Sequence, residues 1–333
     1  MRPKGLHIND SQLGHPPHAG FSSVWLIAPI NHRWEQHMYS NIEFASEGAT
    51  LQGRHYHSAG NARPTVIMAH GTSATITMAI DRYAESIFEA GFDVLLYDHR
   101  NFGLSGGEPR QEINPWVQAR GYRDAVAFLR ESLQADRVAL WGDSYAGGLV
   151  LVAGALIEDV SAVVAQIPSC GATWPQGPTE GTAFDTLRDL FESADVRGEP
   201  ADVAGPMPVV SLDQINAPSL LAPPQAFRWF LEYGGRHGSG WENKATRVVP
   251  KTPVPCSPLI AAPHLNMPVL MMNGRNDEML HCNPELQNAV FDRIAGPKEK
   301  VIIDGGHFGL LWEDSPNFMK AINTQIEFLK RVL

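Results

Sequence analysis

The chain alternates short, wholly apolar runs with longer stretches of helical periodicity. Runs at 65–69, 93–97, 138–141 and 162–167 are apolar on both faces, as strands buried on two sides require. Between them, 78–90 places Ile80, Ala84, Ile87 and Phe88 on one stripe, with Gly91 as a C-terminal cap. The stretch 116–133 does the same with Tyr122, Ala125, Val126, Leu129 and Leu133. Residues 146–156 are apolar all round, which predicts a helix enclosed by the fold. Ahead of these units, 41–46 and 50–57 alternate around Glu47-Gly48 and predict a β-hairpin. The strand pattern resumes at 269–272 and 301–303. A helix starts at Asn283-Pro284 and ends at Gly296, and a last one starts at Ser315-Pro316. Alternating strands and helices predict an α/β fold with a mostly parallel sheet covered on both faces.

Two segments break the rhythm. Residues 1–40 show no clean periodicity and are assigned to an N-terminal arm. Residues 169–263 are assigned to an inserted, irregular cap, because 169–262 holds 12 of the chain's 25 prolines. Short helices are expected there near 183–193 and 223–233. The α/β core then comprises 41–168 and 264–333.

Composition narrows the function classes. A chain of 333 residues, 44% hydrophobic, can bury a large core and is neither disordered nor a disulfide scaffold. A net charge of −10 without a basic run argues against nucleic-acid binding. No stretch reaches a membrane span of about 18–20 apolar residues. The apolar run 24–30 is short, late and broken by Pro29, so it does not read as a signal peptide. Three scattered cysteines, Cys170, Cys256 and Cys282, read as free thiols, and the cytoplasm is the expected compartment. His55 and His57 share a strand face but have no further ligands at metal spacing. No metal and no cofactor are therefore expected.

The candidate chemistry falls at the C-terminal ends of the strands, where parallel sheets hold their ligands. Ser144, in Gly142-Asp143-Ser144-Tyr145-Ala146-Gly147-Gly148, joins a strand directly to a helix. Such a turn exposes the hydroxyl and aims helix N–H groups at the reacting centre. A serine nucleophile needs a base, and His307 follows the last strand on a glycine-rich loop. The base needs a carboxylate to fix its tautomer. Asp277, after the 269–272 strand, is the first choice, Glu278 the alternative, and Asn276 cannot supply charge. Backbone N–H groups of Tyr145 and Thr72 are the candidate oxyanion hole, with Ser73 as alternative to Thr72. His70 reads as a support of that loop. The cap aromatics Trp174, Phe227 and Trp229, with Phe308, are candidate substrate contacts, the favoured role of any single cap aromatic being in the cap's own small core.

Together these residues resemble the α/β-hydrolase superfamily over about 41–168 and 264–333. The order Ser144, Asp277, His307 matches that superfamily, and Gly142-x-Ser144-x-Ala146 is similar to its nucleophile elbow, with alanine in place of the second glycine. The loop from Asp98 to Gly106 resembles the superfamily's own loop at that point. The Ser144-Tyr145 pair and the long insertion are similar to dienelactone-hydrolase-like enzymes and to relatives of X-Pro dipeptidyl peptidases. The resemblance implies a cofactor-independent serine hydrolase working through an acyl-enzyme on a small-molecule carboxylic ester, thioester or lactone. Amide, peptide or C–C bond hydrolysis and acyl transfer use the same triad and stay open. A non-catalytic small-ligand-binding protein is the alternative of a different class. A homodimer through the arm or cap also stays open.

Overall fold

A computed structural model describes residues 38–58, 63–193 and 195–333. The arm assigned to 1–40 lies outside the described residues except for its last three. In chain order the elements are β1 (Ser40–Ser46), β2 (Ala49–Tyr56), β3 (Thr65–Ala69), α1 (Ile80–Glu89), β4 (Asp93–Tyr97), β5 (Glu112–Ile113) and α2 (Pro115–Leu133). Then come β6 (Val138–Asp143), α3 (Ser144–Leu156), β7 (Val160–Gln166), α4 (Ala183–Ser193), β8 (Pro200–Met207), α5 (Pro224–Gly234) and β9 (Ala245–Pro250). The chain closes with α6 (Pro258–Ala261), β10 (Val269–Gly274), α7 (Pro284–Arg293), β11 (Lys298–Ile303) and α8 (Pro316–Val332).

Eight strands form one sheet in the order β1-β2-β4-β3-β6-β7-β10-β11. The hairpin and its join to β4 are antiparallel, and every later pair is parallel. The two-residue period of the strands divides the core between the two faces. Ile67, Leu95, Leu140, Val163 and Met271 pack with α2, α3 and α7 on one side. Val66, Leu96, Trp141, Val164 and Met272 pack with α1 and α8 on the other. Trp141 is fully buried, and its indole N–H donates to Gln325 of α8 at 2.7 Å.

Local chemistry explains the helix starts. Asn114, Asn283 and Ser315 cap α2, α7 and α8 by accepting first-turn N–H bonds, each with proline in the first turn. Helix α7 stops at Arg293, three residues short of Gly296. That glycine instead passes against the backbone of Asn266, where a Cβ would sit 2.6 Å from the carbonyl carbon. Strand β11 begins at Lys298 rather than 301, because an edge strand carrying Lys298, Glu299 and Lys300 has no apolar pattern to read.

The segment between β7 and β10 departs most from expectation. Helices α4 and α5 lie where the periodicity places them, but the segment also builds a three-stranded sheet ordered β5-β9-β8. Its strands contain Pro200, Pro206 and Pro250, which hide the strand pattern and are tolerated at strand ends and edges. Strand β9 pairs with Glu112 and Ile113, tying this segment to the loop that precedes α2.

Candidate active site

The turn between β6 and α3 is tight because its glycines leave no room for anything else. A Cβ on Gly142 would collide with the Ala146 carbonyl, and one on Gly148 with the Ser169 carbonyl. Ser144 has φ of 52°, a left-handed conformation that costs a non-glycine residue of order 1–3 kcal/mol. The strain is held by close packing and by the bond from the Ser169 N–H to the Ser144 carbonyl, 2.8 Å. Ala146 is fully buried, and its methyl is accommodated where the sequence pattern has glycine.

His307 opens a short 3-10 turn after β11 and is 2% exposed. Its Nδ1 lies 2.8 Å from Asp277 Oδ2. The other Asp277 oxygen accepts the Met279 N–H at 2.9 Å, which fixes the carboxylate's orientation. Glu278 does different work. Its Oε2 accepts the His307 backbone N–H at 2.8 Å, and Gly306 is the residue that lets it approach. Asp277 therefore meets the imidazole while Glu278 holds the loop that carries it. With Nδ1 committed to Asp277, Nε2 is the ring nitrogen left for a reacting group. Ser144, His307, Thr72 and Asp143 line one small cavity.

Cys282 was invisible as a site residue in the sequence. Its Sγ lies 3.6 Å from His307 Nδ1 and 3.4 Å from the Ile167 carbonyl. Burial pushes the thiol well above its ordinary range, so it packs as a neutral group beside the imidazole. No sequence signal links position 282 to 307; the loop after β10 folds back to make the contact. Cys170 lies near the same place, its thiol pushed up to about 12 by burial.

Thr72 and Tyr145, the two candidate backbone donors, line the same cavity as Ser144. Tyr145 stands in the first turn of α3, where N–H groups lack helical acceptors, and Asp143 provides no side-chain cap. Among the described residues, the Thr72 amide donates to no acceptor. His70 supports the Thr72 loop: Nδ1 bonds the Gly71 carbonyl at 2.9 Å and Nε2 accepts the His99 N–H at 3.1 Å. Burial lowers the His70 pKa to about 4, so the ring is a neutral strut. The Asp98 loop is also a support. Its carboxylate accepts the Ile76 and Leu104 N–H groups, each at 2.9 Å, and Asp98 lines neither cavity described here.

Asp143 lies fully inside, and burial pushes its carboxyl up to about 7 from an ordinary 3.8. Between those values the folded chain keeps a proton that the unfolded chain has released. Stability contributed by this group is therefore lost as pH rises from about 4 to about 7. Asp143→Asn removes the ionisation. The Tm of the variant minus that of the native chain should grow as pH rises across this window. A difference independent of pH would contradict the assignment.

Beyond Ser144 opens a larger cavity of about 580 Å³, bounded by α3, the β9 segment and the Met279–Cys282 loop. Thr72, Ser144, Tyr145 and Cys282 all line it. The predicted substrate contacts divide. Trp229 and Phe308 line the small cavity at Ser144, with ring centroids 5.7 Å apart. Trp174 and Phe227 line neither cavity, which corrects that expectation. Trp174 is half exposed on the loop after β7, and the buried face of α5 is formed by Ala226, Trp229, Phe230 and Tyr233.

Comparison with known proteins agrees with this architecture. A family model described as the alpha/beta hydrolase fold matches residues 64–190. Thiohydrolase aneE of Aspergillus aculeatus is 28% identical over 320 residues, covering 90% of this chain and 95% of the relative. Quorum-quenching protein AidA of Acinetobacter baumannii is 26% identical, covering 82% of this chain and 88% of its own. The crystal structure of the alpha/beta hydrolase GrgF from Penicillium sp. superposes with a TM-score of 0.65 at 27% identity, covering 88% of this chain and 98% of GrgF. The eight-stranded sheet, the strained serine turn and these likenesses show that the chain has the α/β-hydrolase fold.

Proposed function

We propose that the chain is a serine acyl hydrolase acting on carboxylic thioesters or esters, with Ser144, His307 and Asp277 as its triad. The observation that carries this reading is the 2.8 Å Nδ1–Asp277 contact on a histidine that shares a cavity with a backbone-strained serine. His307 Nε2 takes the Ser144 proton as Oγ attacks the carbonyl carbon. The Thr72 and Tyr145 amides hold the oxyanion, each donor worth about 3 kcal/mol to the transition state. Collapse of the tetrahedral intermediate breaks the C–S or C–O bond, and His307 passes its proton to the leaving thiol or alcohol. Water, deprotonated by the same nitrogen, then attacks the acyl-enzyme, releasing the acid and restoring Ser144. Asp277 keeps the proton on Nδ1 and stabilises the imidazolium without being protonated itself.

Thioesters are favoured within this class by the likeness to thiohydrolase aneE. The segment between β7 and β10 serves as a cap that walls the larger cavity through β9 and residues 251–258. A panel of matched acyl thioesters, esters and anilides tests the reading. Thioesters and esters should turn over and anilides should lag by orders of magnitude; a preference for anilides would overturn it.

Acyl transfer to a non-water acceptor is the second reading. It is favoured by the likeness to a Penicillium protein named polyketide transferase grgF, 28% identical over 299 residues. Added alcohol or amine acceptors decide between the two. A hydrolase releases free acid at an unchanged rate, whereas a transferase diverts most product to the acceptor at millimolar concentration.

A further inference from the structure

The large cavity has a charge pattern opposite to that of the chain. The sequence carries 36 acidic residues against 26 basic ones. Yet the described residues lining the cavity include Arg247, Lys251 and His281, and no Asp or Glu. Elsewhere the lining is largely aliphatic and proline-rich, including Leu149, Val152, Val248 and Pro250. An apolar chamber with a patch of cations fits a ligand that is apolar over most of its length and anionic at one place.

Each of the three groups is available to such an anion. Arg247 has one ion-pair partner, Asp202, at 3.6 Å; both side chains are well exposed and the pair is long, so its worth is small. Lys251 is exposed and makes no ion pair among the described residues. His281 has no hydrogen-bond partner for its ring among the described residues. Partial burial, and then the neighbouring Arg247 charge, lower its pKa. A chain that placed residues here only for solubility would mix both signs of charge.

We infer, on the basis of the serine acyl hydrolase reading above, that the substrate carries a negatively charged group, a carboxylate or phosphate, several bonds from the reacting carbonyl, and that Arg247 and Lys251 bind it. Arg247 offers the planar pair of N–H donors that matches either anion, and Lys251 adds a point charge. The two are specificity-determining residues and touch no reacting atom. The anion can belong to the acyl chain or to the leaving thiol, and the two placements are separated by choice of substrate.

The test compares S-hexanoyl N-acetylcysteamine, which is neutral, with S-adipoyl N-acetylcysteamine, anionic on the acyl chain, and hexanoyl-coenzyme A, anionic on the thiol. One anionic substrate should exceed the neutral one in kcat/KM by about ten-fold or more. In Arg247→Gln/Lys251→Gln that ratio should fall to near one, and in Arg247→Glu it should invert. Raised salt should shrink the ratio in the native chain. A ratio of one or less in the native chain, or a ratio unmoved by the variants, overturns the inference while leaving the hydrolase reading intact. A second measurement stands apart from turnover. In Ser144→Ala, titration calorimetry with monomethyl adipate, methyl hexanoate and coenzyme A should show tighter binding of an anionic ligand, lost in the added Arg247→Gln variant. Equal binding of all three overturns the inference, even if no thioester is hydrolysed and the hydrolase reading has itself failed.

Discussion

Ser144→Ala is expected to lower kcat/KM on any turned-over acyl substrate by about a million-fold, the scale seen when a triad serine is removed. Loss of about 8 kcal/mol of transition-state stabilisation is the same statement. The reason is that no other nucleophile stands at the turn. Cys282 and Cys170 line the larger cavity but are held as neutral thiols by burial. The fold should survive, because alanine keeps the Cβ and loses only a hydroxyl for which the structure shows no internal bond. Relief of nothing but that hydroxyl leaves the φ of 52° in place, so Tm should move little. Steady-state rates with a chromogenic ester and a thermal melt check both halves. Residual activity above a hundredth of the native rate in a sample free of contaminating esterase would contradict the role given to Ser144.

The second large effect separates two adjacent carboxylates. Asp277→Asn is expected to cost on the order of ten-thousand-fold in kcat, because an amide placed at 2.8 Å from Nδ1 permits the wrong imidazole tautomer. Glu278→Gln should cost only about ten-fold, since glutamine still accepts the His307 N–H through its carbonyl oxygen and loses only the charge assistance. Activity lost through Asp277→Asn should also recover at high pH, where the unfavourable tautomer matters less to proton transfer through hydroxide. Equal losses at the two positions would mean that the carboxylates share one structural task, and the assignment of Asp277 to the imidazole would fail.

How far the sequence carries this account depends on what each segment buries. Strands β3, β4, β6, β7 and β10 are covered on both faces, and unbroken apolar runs announce them. Ser144 and Asp277 follow from β6 and β10, because a residue placed just beyond a strand end has few places to go, and His307 follows from the short apolar end of β11. The sequence favours Asp277 over Glu278 although both occupy the same loop; the turn after β11 brings the imidazole to Asp277 and the His307 backbone N–H to Glu278. The small sheet escaped notice because β8 and β9 carry prolines and β5 is only two residues long. Strand β8 is almost wholly exposed, so neither face had to be apolar.

Substrate contacts were the least legible. Aromatic residues on the inserted segment stand out in a sequence, yet Trp174 and Phe227 line neither cavity, and the walls are made by Val248, Pro250, Arg247 and Lys251. Ala245–Pro250 reads Ala-Thr-Arg-Val-Val-Pro, without the alternation that marks a strand, and Pro250, Pro253 and Pro255 make the stretch look like a loop. Cys282 gave no signal at all, since its position against His307 arises from tertiary folding alone.

An activated Ser144 should react with a fluorophosphonate probe, which needs no knowledge of the natural substrate. Intact mass after brief treatment should rise by one adduct, peptide mapping should place it on Ser144, and Ser144→Ala should stay unlabelled. His307→Ala should label far more slowly, because the hydroxyl is a weak nucleophile without its base. An adduct on another residue, or no adduct from either a bulky or a small fluorophosphonate on folded protein, would contradict the account and favour a ligand-binding role for the cavity.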